Sequence, residues 1–200
     1  MKFGMIGAGT LSRAIAGHVV KAGHDVIFSN SRGPETLGDV VAAAFGPRAS
    51  AGSVAEAGAA DIVVLAVPWS KVREAVRHLP AREGRIVIDA TNQWIKLTPS
   101  FVAEHLDIGG SELVASLIPG AHVIKAFDNM YGRYVAADPV TEAGRRILFY
   151  AGDDQDAKSV FRSVVEDFGF APVDLGPLVM GRLMQVDGGP LTGLHAIREG

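Results

Sequence analysis

The chain contains no cysteine. That excludes disulfides, thiolate metal sites, iron–sulfur clusters and cysteine nucleophiles, and it suits a reducing cytosol. Charge of one sign is also missing. Nineteen Lys and Arg stand against 22 Asp and Glu, for a formal net charge of -3, so there is no basic field to hold a nucleic-acid backbone. No run approaches the ~20 apolar residues of a membrane span. Residues 1–6 have neither the basic region nor the long apolar region of a secretory leader. These absences predict a soluble cytoplasmic protein whose partners include no nucleic acid and no membrane.

What is present is material for a core. A chain of 200 residues, 48% hydrophobic, can bury roughly 70% of its exposable surface as one domain. The 24 glycines and 10 prolines form no tract or repeat and punctuate the ends of apolar runs. Strands are predicted at 2–6, 25–29, 48–52, 61–67, 85–90, 122–127, 146–151 and 170–174. The runs at 61–67 and 85–90 carry Val and Ile on both parities, so both faces of these strands should be covered, as in a parallel sheet. Leu11, Ile15, Val19 and Ala22 recur at helical spacing and stop at Gly23. Ala157, Val160, Phe161, Val164, Val165 and Phe168 form a second stripe, opened by Asp153 and Asp154 and closed by Gly169. Strand–helix–strand order with short connections implies right-handed crossovers and an α/β, doubly wound sheet.

Gly7-Ala8-Gly9-Thr10-Leu11-Ser12 stands where the first strand ends and the first helix begins. Gly7 permits a tight turn, and Gly9 lets a pyrophosphate approach the main chain because no Cβ intervenes. Backbone N–H groups of Thr10, Leu11 and Ser12 would face the phosphates. Ser12 replaces the third glycine of the dinucleotide fingerprint. No Gly-Lys-Ser/Thr follows, which excludes a Walker-type loop. At the end of the second strand an NAD site needs a carboxylate for the ribose 2'-hydroxyl. This chain has Ser29-Asn30-Ser31-Arg32 there and no acid before Glu35. Hydroxyls, an amide and a guanidinium suit a 2'-phosphate, and they select NADP.

With these motifs the chain resembles the NADPH-dependent reductases of the 8-hydroxy-5-deazaflavin coenzyme and their dinucleotide-binding relatives. The likeness runs through Ile6 to Gly9, Ser29 to Glu35, Val64 to Trp69, Ile88 to Asn92, Val123 to Phe127, Ala151 to Asp154 and Gly169-Phe170. It implies one Rossmann-type domain, a doubly wound, mainly parallel sheet (1–127 core) with a short C-terminal extension (128–200 sheet, helix and tail). It also implies NADP as cofactor, coenzyme F420 or a flavin as a small-molecule redox acceptor, and a homodimer. By resemblance Ala66, Val67, Pro68 and Trp69 border the cofactor, with Asn92 and Ala126 to Asn129 nearer the nicotinamide. Asp128 departs from the Asn common among relatives, and no second cation follows Arg32. Other readings of the same pattern are a small-substrate NADP dehydrogenase or imine reductase, and a non-catalytic dinucleotide-binding sensor.

No catalytic side chain is identified. Among the histidines, His18, His24, His78, His105 and His122 form no closely spaced ligand set, while His195 follows a glycine-rich terminal loop suited to cover a site or meet a second subunit. Asp89 and Lys125 read as a carboxylate bonded to its neighbouring backbone or to Thr91 and an ammonium snorkelling at a sheet margin. Asp153, Asp154 and Asp156 read as a charged helix start, so no metal is expected.

Overall fold

The structure is a computed structural model that describes residues 1–80, 83–93, 109–185 and 189–200. Ile62–Leu65 (β4) and Ile86–Asp89 (β5) are buried along their whole length, as Val- and Ile-rich central strands must be. Alternate residues divide between two cores. Ile62, Val64, Ile86 and Ile88 pack on one face of the sheet, and Val63, Leu65 and Val87 on the other. The preceding elements are β1 (Lys2–Ile6), α1 (Thr10–Lys21), β2 (Asp25–Ser29), α2 (Gly38–Phe45), β3 (Ala49–Ala51) and α3 (Val54–Gly58). After β4 come α4 (Val72–Arg77) and β5, then α5 (Gly110–Leu117), β6 (His122–Ala126), α6 (Gly132–Ala136), β7 (Val140–Thr141), β8 (Gly144–Gly152), α7 (Gln155–Asp167), β9 (Ala171–Asp174) and β10 (Ile197–Arg198).

Strands run β3-β2-β1-β4-β5-β6, all parallel; β8 pairs antiparallel with β6, β9 joins β8 in parallel, and β7 and β10 pair antiparallel with β8. This is the doubly wound, mainly parallel sheet that the alternation of runs predicts. The order leaves β1 between β2 and β4, so the α1 N-terminus stands at the switch point on the carboxyl edge.

Helix α1 buries Ala14, Ile15, Ala16 and Val19 and closes where Gly23 takes φ 84°, with Gly23 N–H bonded to Val20 O and His24 N–H to Val19 O. Helix α7 opens on Asp154, whose carboxylate accepts from Ala157 N–H at 2.8 Å. It buries Ala157, Phe161, Val164 and Val165, but Val160, placed in its stripe by spacing, is 40% exposed. The run predicted at 61–67 leaves the sheet after Leu65, with Ala66 N–H to Ile6 O as the last rung of its ladder with β1.

Helix α3 lies directly on β1. A Cβ on Gly4 would stand 1.7 Å from the Ala57 carbonyl oxygen, so this position admits no side chain without moving a backbone. Gly4→Ala should destabilise the fold by about 2–3 kcal/mol, read as a lowered urea midpoint at unchanged slope. Gly9→Ala, where nothing lies within 4 Å of the new carbon, should leave the midpoint within about 0.5 kcal/mol. Equal midpoints for both variants would contradict the packing.

Candidate functional site

The turn after β1 is built around Gly7. Its φ is +104° and a Cβ there would lie 2.4 Å from Ala66 O, so only glycine fits. Gly7 N–H bonds to Ser29 O at 3.0 Å, tying the turn to β2. Ser12, fully buried, donates its hydroxyl to Gly7 O at 2.7 Å. The position of the third fingerprint glycine therefore holds a side chain that clamps the turn, with no opening to a ligand. Gly9 caps α1 with no side-chain hydrogen bond, and the first turn carries no acid. The first helical bond is Arg13 N–H to Gly9 O. The earlier amides, from Thr10 (exposed) through Leu11 (half-buried) to Ser12, precede that ladder, the arrangement that an anion at a helix N-terminus requires.

The four residues predicted beside the 2'-phosphate divide into two kinds. Ser29 is fully buried and donates to Met5 O at 3.0 Å, joining β2 to β1. Asn30 accepts from Arg32 N–H and donates to the Thr36 hydroxyl, both at 2.9 Å, and Thr36 donates in turn to Gly33 O at 2.8 Å. These bonds shape the loop and present Ser31 and Arg32, both exposed, at its tip. Glu35 folds back against Gly33, its carboxylate oxygens 2.3 and 2.5 Å from where a Cβ would stand.

A cleft of about 390 Å³ joins the Gly7–Gly9 turn, Ser29–Ser31 and the Ala66–Pro68 segment after β4. Its remaining wall includes Val54, Lys71, Glu74 and His78, residues that sequence reasoning missed. Positions 71, 74 and 78, at helical spacing on α4 and its two flanking residues, carried the signal that could have found them. Lys71 and Glu74 pair at 2.9 Å, and this contact holds the Glu74 carboxyl below the usual carboxylate range.

Trp69, 6% exposed, packs with Val72, Val76 and Leu113 in the core, its ring 3.3 Å from the Cβ position of Gly110. It is not among the residues lining the cleft. Asn92 and Ala126 stand farther along the carboxyl edge, beyond the cleft lining. Asn92 donates to Asp128 O at 3.5 Å, and Ala126 is fully buried at the end of β6. His105 lies outside the described residues. No group of His, Cys, Asp and Glu able to hold a metal is found among the described residues, nor a helix long and apolar enough to cross a membrane.

Asp89 accepts from Thr91 N–H and its hydroxyl at 2.9 and 2.6 Å, and from the Ser111 hydroxyl at 2.6 Å. Lys125 corrects the snorkelling expectation: it is 1% exposed, because β5 and β8 flank β6 and the 178–184 turn covers its stem. Its ammonium donates to Thr91 O and stands 3.5 Å from Asp89 and 3.0 Å from Asp128. Burial alone would lower the Lys125 pKa, but the Asp128 and Asp89 carboxylates outweigh it and raise it. The Asp128 contact has the distance of an ion pair without the direction of a hydrogen bond, and among the described residues neither carboxylate oxygen accepts one. Burial pushes the Asp128 carboxyl up to about 7 against the pull of Lys125.

With this geometry in place the comparisons are informative. A sequence model of the family described as NADP oxidoreductase, coenzyme F420-dependent, matches residues 2–93. A hypothetical protein from Sinorhizobium meliloti is 35% identical, with a TM-score of 0.87 over 100% of this chain and 96% of that one. Residues 2–93 of the chain thus match the coenzyme F420-dependent NADP oxidoreductase family, and the whole chain shares its fold with the Sinorhizobium protein. A putative F420-dependent NADP reductase from Arthrobacter sp. FB24 shares the fold (TM-score 0.73, 23% identity, covering 91% of this chain and 87% of that one). Metalloreductase STEAP3 of Rattus norvegicus is 27% identical over 182 residues, or 90% of this chain. The chain spans about a third (35%) of the length of that curated relative.

The Asp128 environment predicts a pH effect. Its folded-state pKa of about 7 lies above the ordinary 3.8, so its favourable contribution is complete below pH ~4 and is lost as pH rises through ~7. Asp128→Asn should remove this slope and melt higher than the parent protein at pH 8, with the advantage shrinking toward pH 5. A pH-independent difference would contradict the buried acid.

Proposed function

We propose that this protein exchanges hydride between NADPH and a deazaflavin or flavin-type acceptor at the carboxyl edge of the sheet, working as a homodimer. The observation that carries the reading is the pairing of an uncapped α1 N-terminus with a β2 loop that presents Ser31 and Arg32 at its tip and has no acid before Glu35. The family match supports NADP as the cofactor, and the residues present fit it. The open space at Gly9 leaves room for a pyrophosphate against the helix amides. The guanidinium and hydroxyl at the loop tip offer a 2'-phosphate charge-assisted hydrogen bonds.

The nicotinamide supplies the hydride chemistry. The chain's part is to bind and orient. Amides of the first α1 turn hold the pyrophosphate, and the Ala66–Pro68 segment lets the dinucleotide pass close to the backbone. The ends of β5 and β6 form the floor toward which the nicotinamide end would run. Ring-to-ring transfer depends on juxtaposition, so the absence of an assigned acid or base side chain is compatible with the reaction. Lys71 places a cation in the cleft, which Ser31 lines and Arg32 does not, although Glu74 offsets its charge.

Titration with NADPH and NADH, followed by stopped-flow mixing with the deazaflavin coenzyme, FMN and ferric acceptors, tests the reading. NADPH should bind more tightly and be oxidised by the deazaflavin or flavin. Tight binding with no oxidation by any acceptor would make the protein a nucleotide sensor. Arg32→Glu should weaken NADPH at least about tenfold more than NADH; equal loss would remove the phosphate contact. Gly9→Val should preserve the melting temperature yet reduce NADPH affinity at least about tenfold, because its new methyls occupy the pyrophosphate's approach.

A further inference from the structure

Where β6 leaves the sheet, Tyr131, Arg133 and Tyr134 project from the start of α6. This helix packs against α1, and a Cβ on Gly132 would come within 3.9 Å of Thr10 Cγ2. The cluster therefore stands beside the pyrophosphate turn on its β6 side, whereas Arg32 stands on the β2 side. The Arg133 guanidinium carbon lies 4.9 Å from the Tyr131 ring centroid and 4.8 Å from that of Tyr134. Arg133 is exposed, and among the described residues no hydrogen bond or ion pair engages it. Both rings lie within cation–π reach of it, and among the described residues its N–H donors have no acceptor.

The support behind it is rigid. Tyr134 stacks on His195 at 4.1 Å and 3° between planes, and Arg146 donates to His195 while also bonding Asp138 O at 3.0 Å. The terminal loop is fastened by Gly193 N–H to Asn129 O at 2.7 Å and by Asn129 to Leu194 O at 3.4 Å. Burial, then the Arg146 charge, lowers the His195 pKa, so at neutral pH the stack carries guanidinium charge. The nearby Asp138 carboxylate faces Lys21 and Val140 N–H instead. Beside this cation, Tyr131 is 58% and Leu194 40% exposed, a surface on which a flat ring can rest. An ordinary exposed arginine would sample many rotamers; a stacked one keeps its planar fork ready for a phosphate or carboxylate.

We propose that Arg133, clamped by Tyr131 and Tyr134, docks the anionic tail of a planar heteroaromatic acceptor and so determines which acceptors this enzyme reduces. The proposal rests on the flavin-type reductase reading above and adds the chemical class of acceptor, a ring system carrying phosphate or carboxylate. Hydride transfer itself does not use the guanidinium, so Arg133 is a specificity residue.

The test compares FMN with riboflavin, which share a ring and differ in the phosphate. Calorimetric affinities should favour FMN by about tenfold in the parent protein. Arg133→Ala and Arg133→Gln should both erase that preference while leaving riboflavin binding, NADPH affinity and melting temperature unchanged. In turnover with NADPH the KM for FMN should rise about tenfold at constant kcat. Equal affinity for the two flavins, or a preference that survives both substitutions, would overturn the proposal. A parallel loss of NADPH affinity would assign the guanidinium to the dinucleotide's pyrophosphate and overturn it too. An FMN preference that depends on Arg133, without any NADPH oxidation, would support the anion dock and defeat the reductase reading alone.

Discussion

The constraint on which the site depends is the left-handed turn at Gly7, pressed so closely against the Ala66 carbonyl that no Cβ fits. It brings the end of β1 into register with the segment after β4 and sets the direction in which α1 departs. Ser12 then locks the turn from within the helix. What emerges is a helix N-terminus with no side chain over its free amides and a glycine at its mouth. Partial positive charge is concentrated at the switch point of the sheet, where a diphosphate is the natural counter-charge.

Polarity increases along the carboxyl edge from this point. Past the apolar interiors of β5 and β6, the strand ends carry Asp89, Thr91, Lys125, Asp128 and Asn129, all buried. Phe127 departs the sheet with φ 67°, a conformation rare for a bulky residue. Such strain persists only where surroundings enforce it. Here Phe127 is anchored among Phe161 and Phe170, and the forced bend sends the following residues toward α6 and the terminal loop. The polar cluster and the aromatic–arginine stack thus occupy successive steps of one strand exit.

The sheet was readable in the sequence because burial on both faces leaves Val and Ile at consecutive positions, and glycine marks each required reversal. Dinucleotide chemistry was readable from Gly7, whose positive φ and closeness to Ala66 demand glycine, and from Gly9, where the fold admits a side chain and the missing Cβ leaves room for a ligand. Short elements left weaker traces. Helix α3, five residues opened by a Ser53–Glu56 capping box, is too short for an apolar stripe, and β7 and β10 are two-residue pairings set by contacts with β8. Side-chain roles were the least readable. Spacing placed Ser29 and Asn30 beside Arg32, but their hydrogen bonds to Met5, Arg32 and Thr36 are tertiary and loop geometry. Trp69, placed at the cofactor border by resemblance, packs its ring against Gly110 of α5, a contact that spacing along the chain does not show. Lys125 has the sequence context of a sheet margin, and only the antiparallel addition of β8 buries it.

The central claim is that the α1 N-terminus and the Ser31–Arg32 loop grip the two ends of one dinucleotide tail. The most direct measurement follows backbone and Arg side-chain N–H resonances during titration with NADPH. The account predicts saturable shifts at Gly9, Thr10, Leu11 and the Arg32 guanidinium with a single dissociation constant. Binding that leaves these resonances unmoved, or that moves the turn and the loop with different constants, would contradict it.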